Sequence, residues 1–182
     1  MNARAPFRAD QVGSLLRPPA LKAARAAVAD GSMDATQLRA VENDCIRAAV
    51  AAQEALGLAV VTDGEFRRAW WHFDFLAGLE GVRLVRGDKA IQFHGVTTKA
   101  ESIEVHERVG FDGHAMVEDF KFLGGIAKVT PKMTLPAPSV LHFRGGRAAI
   151  SRRGYPDLER FFVVTPANYG TMGTPFHATR PR

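Results

Sequence analysis

The chain has 182 residues, 46% hydrophobic and 24% charged, with a single cysteine, Cys45. That is one domain's length with material for a real core, and it excludes disordered, collagen-like and disulfide-scaffold chains. No apolar run approaches the roughly 18–20 residues of a membrane span, and the opening MNARAPFRAD lacks the apolar stretch of a signal peptide. A cytoplasmic protein without a membrane partner is the expectation. The net charge of +5 is local: residues 144–182 carry seven arginines against Asp157 and Glu159, leaving 17 basic and 17 acidic residues in 1–143. With no basic stripe and no nucleic-acid motif, no nucleic-acid partner is expected.

In chain order, the stretch Gln11-Val-Gly-Ser-Leu-Leu-Arg-Pro-Pro19 reads as a turn, followed by an alanine-rich helix over Ala20–Ala29 that ends at Asp30-Gly31. A longer helix is predicted over Ala35–Leu56. Its apolar positions Leu38, Val41, Cys45, Ala49, Ala52 and Leu56 step by three and four, with Asp34 as N-cap and Gly57 just past the end. Cys45 lies on that face and reads as core. Leu58-Ala-Val-Val-Thr62 is a short apolar run of the buried parallel-strand kind, ending in Asp63-Gly64-Glu65. Helix, glycine, buried strand and then acids is the grammar of an α/β fold, whose sites lie at the C-terminal ends of strands.

Residues 82–109 alternate apolar and polar at Ile91-Gln-Phe93 and Ile103-Glu-Val105, a hairpin-like excursion from the main sheet. A further strand is predicted near Ala115–Phe120 with a turn at Gly124-Gly125, and another over Ile126–Thr134. Tyr155–Phe162 opens a helix with Pro156 in its first turn. The pattern then stops. Residues 163–182 hold four Thr, three Pro, two Gly and no acid. Two readings stay open: an ordinary irregular basic tail, or a natural continuation lost by truncation or frame shift.

Six histidines are present, yet there is no His-x-x-x-His, no Cys-x-x-Cys, no nucleophile elbow and no phosphate-binding glycine loop. Two motifs remain. Gly13-Ser14 offers close backbone approach, a hydroxyl and an amide. Asp63-Gly64-Glu65 places carboxylates at a strand end, where one could hold an ammonium by a charge-assisted bond. Either motif alone is also an ordinary turn or solvated loop. Trp70-Trp71-His-Phe73-Asp-Phe75 reads as packing, and Arg67-Arg68 as solvated or salt-bridged beside Glu65. Pro136-Ala-Pro138-Ser139 is a rim loop or a turn.

Together these residues resemble the cobalamin-independent methionine synthase family, especially its short, single-barrel bacterial members. The matching stretches are Gln11-Val-Gly-Ser-Leu-Leu-Arg-Pro18, Val61-Thr-Asp-Gly-Glu-Phe-Arg-Arg68 and Phe93-His-Gly, then Lys128-Val-Thr-Pro-Lys-Met-Thr-Leu-Pro136 and Ser139-Val-Leu-His-Phe143. They occur in order from about residue 8 to residue 162. The resemblance implies a (β/α)8 TIM barrel related to uroporphyrinogen decarboxylase. It also implies transfer of a methyl group from 5-methyltetrahydrofolate to homocysteine, whose thiol zinc deprotonates. By motif, Gly13 and Ser14 would contact the amino-acid end of homocysteine, and Glu65 its ammonium. Asp63 stands where long members often have histidine, so its role is open. Related short members use other thiols, coenzyme M among them.

The family's zinc ligands (a His and a Cys close together, then a Glu and a second Cys) belong to the barrel's second half. Cys45 is not placed to substitute, so no metal ligand and no catalytic residue is assigned. Eight βα units take about 250 residues, so about four fit here. Residues 1–162 would be the N-terminal half of a barrel, with unpaired edges and exposed apolar surface. Three forms are then open: a methyltransferase completed by a complementing C-terminal half, an inactive truncated binding fragment, or a homodimer of edge-paired half-barrels.

Overall fold

A computed structural model describes residues 10–86, 92–93, 96–97, 101–143 and 145–162. The tail 163–182 and most of the Phe93-His-Gly motif lie outside the described residues. The described residues divide into two compact units, one of residues 10–68 with Asp119–Thr134, the other of those within Ala69–Glu118 and 135–162. Among the described residues the architecture is mixed α/β with three two-stranded sheets. Among the described residues no helix is long and apolar enough to cross a membrane.

The first unit begins with α1 (Pro19–Ala29) and α2 (Ala35–Ala55), which pack on each other. Pro19 opens α1 where its missing N–H costs nothing. Asp34 closes a capping box on α2: its carboxylate accepts the Gln37 N–H at 2.8 Å, and the Gln37 side chain accepts the Asp34 N–H at 2.9 Å. Gly57 takes a φ of +77° past the helix end, as expected of a residue there.

The buried stripe of α2 differs from the apolar one. It runs Glu42, Ile46, Val50 and Gln53, while Cys45 is half-buried and Leu56 is 81% exposed. Two polar residues occupy the inner face because each has an internal partner. Gln53 is the clearer case: its amide donates to the Thr62 carbonyl at 2.9 Å and accepts the Thr62 N–H at 3.0 Å, tying helix to strand end.

Strand β1 (Val60–Val61) pairs in parallel with a strand at Thr130–Pro131, far along the chain. That bears out the parallel-strand expectation, though the second strand is only two residues long rather than spanning 126–134. The expected strand near 115–120 is instead helix: Ala115–Ile126 forms one α-helix, and Gly124-Gly125 lies within it. Its buried residues Met116, Val117, Phe120 and Leu123 recur at helical spacing.

The second unit is built on an antiparallel pair, β2 (Glu80–Arg86) with β5 (Glu101–Gly110), enclosing the short pair β3 (Gln92–Phe93) and β4 (Val96–Thr97). This is the expected hairpin excursion. Gly81, at φ +73°, sits where the register shifts, and a Cβ there would strike the Arg108 carbonyl. A short helix, α3 (Phe73–Leu76), precedes β2, with Phe73, Phe75 and Leu76 buried as the packing reading required. With the order now complete, the helix Ala115–Ile126 is α4, the strand Thr130–Pro131 is β6, and Val140–Phe143 is α5.

The outer edge of β5 is covered by the chain that follows. Ser151 N donates to the Val105 carbonyl at 2.7 Å, and Ile150 bridges Val105 in parallel. The Tyr155 hydroxyl accepts the Val109 N–H at 2.9 Å. Residues 158–162 are helical, three residues later than expected, with Asp157 accepting the Glu159 N–H.

Candidate functional site

The predicted site residues come together inside the first unit, at the C-terminal end of β1. Thr62 continues the strand, and its hydroxyl donates to the Gly13 carbonyl at 2.8 Å while accepting the Gly64 N–H at 3.2 Å. Leu15 N then donates to the Gly64 carbonyl at 3.0 Å. These bonds lay the Gly13-Ser14 turn against the Asp63-Gly64-Glu65 turn. Gly13 is buried and Ser14 exposed, so the glycine makes the close approach and the serine presents its hydroxyl outward.

Two consecutive residues there adopt left-handed backbone, Gly64 at φ +67° and Glu65 at φ +56°. For a residue with a Cβ that conformation costs about 1–2 kcal/mol. It persists because the surroundings hold it, and such strain concentrates at functional positions. Asp63 supplies one hold, its Oδ1 accepting the Glu65 N–H at 2.9 Å. Arginines supply the rest. Arg17 donates to the carbonyls of Glu65 and Arg68 at 3.1 and 2.8 Å, and Arg25 to those of Phe66 and Arg68 at 2.6 and 3.1 Å.

The Glu65 carboxylate lies over Gly13. A Cβ built on Gly13 would fall 2.6 Å from Glu65 Oε1 and 2.8 Å from Thr134 Oγ1. Thr134 Oγ1 donates to Oε1 at 2.7 Å, and Arg68 Nη1 lies 3.7 Å from the same oxygen. No described residue donates a hydrogen bond to Oε2. Asp63 is 2% exposed, and burial pushes its carboxyl above the ordinary aspartate value against the Glu65 N–H and the charges of Arg68 and Arg67.

Arg67 and Arg68 are not solvated: their side chains are 5% and 3% exposed. Arg67 enters a buried charge cluster, 3.7 Å from Glu42 and 3.5 Å from Asp119, with its guanidinium over the Phe122 ring. Burial raises the Glu42 carboxyl, opposed chiefly by Arg67. This cluster fixes the back of the 65–68 loop to α2 and α4.

The structure thus brings the four candidate residues Gly13, Ser14, Asp63 and Glu65 together as neighbours, and adds Thr134, Arg17 and Arg25, which sequence reasoning missed. Thr134 stood within one of the matched stretches, but its role shows only in three dimensions. Zinc, implied by the resemblance, wants three or four clustered donors. Among the described residues no three His, Cys, Asp or Glu side chains gather in that way, so those residues do not fit a zinc site.

No family model matches the chain. The uncharacterized protein YxjG of Bacillus subtilis (strain 168) is 57% identical over 141 residues, covering 77% of this chain and 37% of that protein. The uncharacterized YxjH of the same organism is 49% identical over 160 residues, covering 87% of this chain and 42% of its own length. Among solved structures, a Listeria monocytogenes protein provisionally named a vitamin-B12 independent methionine synthase superposes with a TM-score of 0.78 at 35% identity. That match covers 98% of this chain and 50% of the Listeria chain. The chain thus spans half or less of the length of each of these relatives.

Proposed function

We propose that this chain forms the amino-acid side of the substrate site in a methyltransferase of the cobalamin-independent methionine synthase type. Its fold would be the first part of a (β/α)8 barrel, and its acceptor homocysteine, methylated from 5-methyltetrahydrofolate. Glu65 carries the proposal: a buried carboxylate at the C-terminal end of a parallel strand, in a left-handed conformation, above a glycine. Sites in parallel barrels lie at that end of the strands. The likeness to the Listeria protein supports the same reading.

In this arrangement Glu65 Oε2 takes the substrate ammonium, and Gly13 leaves room for it because no Cβ is present. Ser14 offers its hydroxyl and amide to the substrate carboxylate. Asp63 holds the Glu65 backbone rather than the substrate, since its Oδ1 is already spent on the Glu65 N–H. A carboxylate suits an ammonium-bearing thiol and repels a sulfonate, which favours homocysteine over a coenzyme M-type acceptor. The part these residues play is binding and orientation.

The test is calorimetric titration of L-homocysteine into the 182-residue chain and its Glu65→Gln variant. A charge-assisted bond contributes about 1.5–3 kcal/mol, so the variant should bind at least about tenfold more weakly. Equal affinity would remove Glu65 from the site and the proposal with it.

A further inference from the structure

We propose that Thr134 is a positioning residue that keeps Glu65 available to an ammonium by holding its carboxylate off Arg68. This rests on the homocysteine reading above and assigns a role to a residue outside both turn motifs.

Three groups meet here. Thr134 Oγ1 donates its only proton to Glu65 Oε1 at 2.7 Å. Arg68 Nη1 donates to the Thr134 carbonyl at 2.8 Å and approaches its hydroxyl at 3.5 Å. From there it reaches Glu65 Oε1 only to 3.7 Å, longer than a good charge-assisted bond of about 2.7–2.9 Å. Arg68 is thus anchored to Thr134 backbone, and Glu65 to Thr134 hydroxyl. A glutamate side chain has three rotatable bonds, and among the described residues the Thr134 hydroxyl is the hydrogen-bond donor that fixes the carboxylate plane. With the hydroxyl gone, the nearest donor to Oε1 is the Arg68 guanidinium. A direct Glu65–Arg68 pair would satisfy the carboxylate internally and take it from the ligand. The hydroxyl engages one oxygen and leaves the other for a cation.

A merely structural threonine would affect all ligands alike, so the readout is a ratio. L-homocysteine and 4-mercaptobutanoate differ only by the amino group. Their affinities for the wild-type chain, Thr134→Val and Thr134→Ser are measured by calorimetry on the same preparations, where a partly unfolded fraction cancels. Wild type and Thr134→Ser should prefer homocysteine alike, while Thr134→Val should lose about tenfold of that preference with unchanged affinity for 4-mercaptobutanoate. Thr134→Ala replaces Thr134→Val if the latter does not fold. A preference kept in the hydroxyl-free variant overturns the positioning role and leaves the homocysteine reading standing. A wild-type chain with no preference for the amine overturns both.

Discussion

Replacing Gly13 by alanine tests the close approach on which the site is built. Gly13 is not in the left-handed region, so the substitution probes space and not backbone conformation. The added Cβ would lie 2.6 Å from Glu65 Oε1, 2.8 Å from Thr134 Oγ1 and 3.1 Å from Thr134 Cγ2, where ordinary contact begins at 3.4 Å. Both neighbours are tethered, Glu65 by the Thr134 hydroxyl and Thr134 by Arg68. Relief therefore requires breaking the 2.7 Å bond or shifting the Gly13 turn. Overpacking costs about 1–3 kcal/mol, and the hydrogen bond to a charged group about 1.5–3 kcal/mol. These overlap, and the stiffer unfolded chain returns about 0.4–1 kcal/mol. A net loss of about 2 kcal/mol is expected, a large fraction of a total of about 5–15 kcal/mol. Urea denaturation followed by circular dichroism measures it. The control is Gly125→Ala in α4, where a Cβ meets nothing within 4 Å; that change should be neutral or stabilising by up to about 1 kcal/mol. A Gly13→Ala chain as stable as wild type, with the Glu65–Thr134 bond intact in its structure, would refute the steric account.

Two further expectations concern buried polar groups. Burial lifts the Asp63 carboxyl above 3.8, so its contribution to stability is full below that pH and is lost as pH rises through the raised value. Asp63→Asn keeps the acceptor for Glu65 N–H without titrating. Its stability relative to wild type, from urea curves between pH 4 and 7, should climb with pH, and a fall across that window would contradict the assignment. In the second unit, Tyr155→Phe leaves the buried Val109 N–H without its acceptor. A loss of about 1–3 kcal/mol is expected, with faster hydrogen exchange at that amide; unchanged exchange would show that another group accepts it.

Local features were legible in the sequence because their signals are local. The Asp34 cap, the Gly57 stop, the apolar run before Asp63 and the alternation around Ile103 each depend on residues within a few positions. What escaped it depends on distant partners. The inner face of α2 carries Glu42 and Gln53, and only the arginines around one and the Thr62 backbone beside the other explain why polar groups lie inside. Ala115–Phe120 was too short a window to separate helix from strand, and the period declares itself only when Leu123 is added. Gly64 is the residue from which left-handed backbone is expected. That Glu65 shares it follows from Arg17, 48 residues away in sequence, which holds the Glu65 carbonyl and also that of Arg68. Thr134 likewise meets Glu65 across 69 residues.

The covering of β5 bears on how the protein behaves in concentrated solution. An uncovered strand edge is a template for pairing with another chain. Here Ser151 N and Ile150 occupy the middle of that edge, and the Tyr155 hydroxyl occupies the Val109 amide beyond it. The ladder is ended by a side chain, which can accept one proton yet cannot pass the pairing on to a further strand. A version of the chain stopped short of Ile150 would keep the whole β2–β5 ribbon and bare its outer edge. The short, irregular stretch from 150 to 155 thus acts as a guard against self-association for the longest β-ribbon among the described residues.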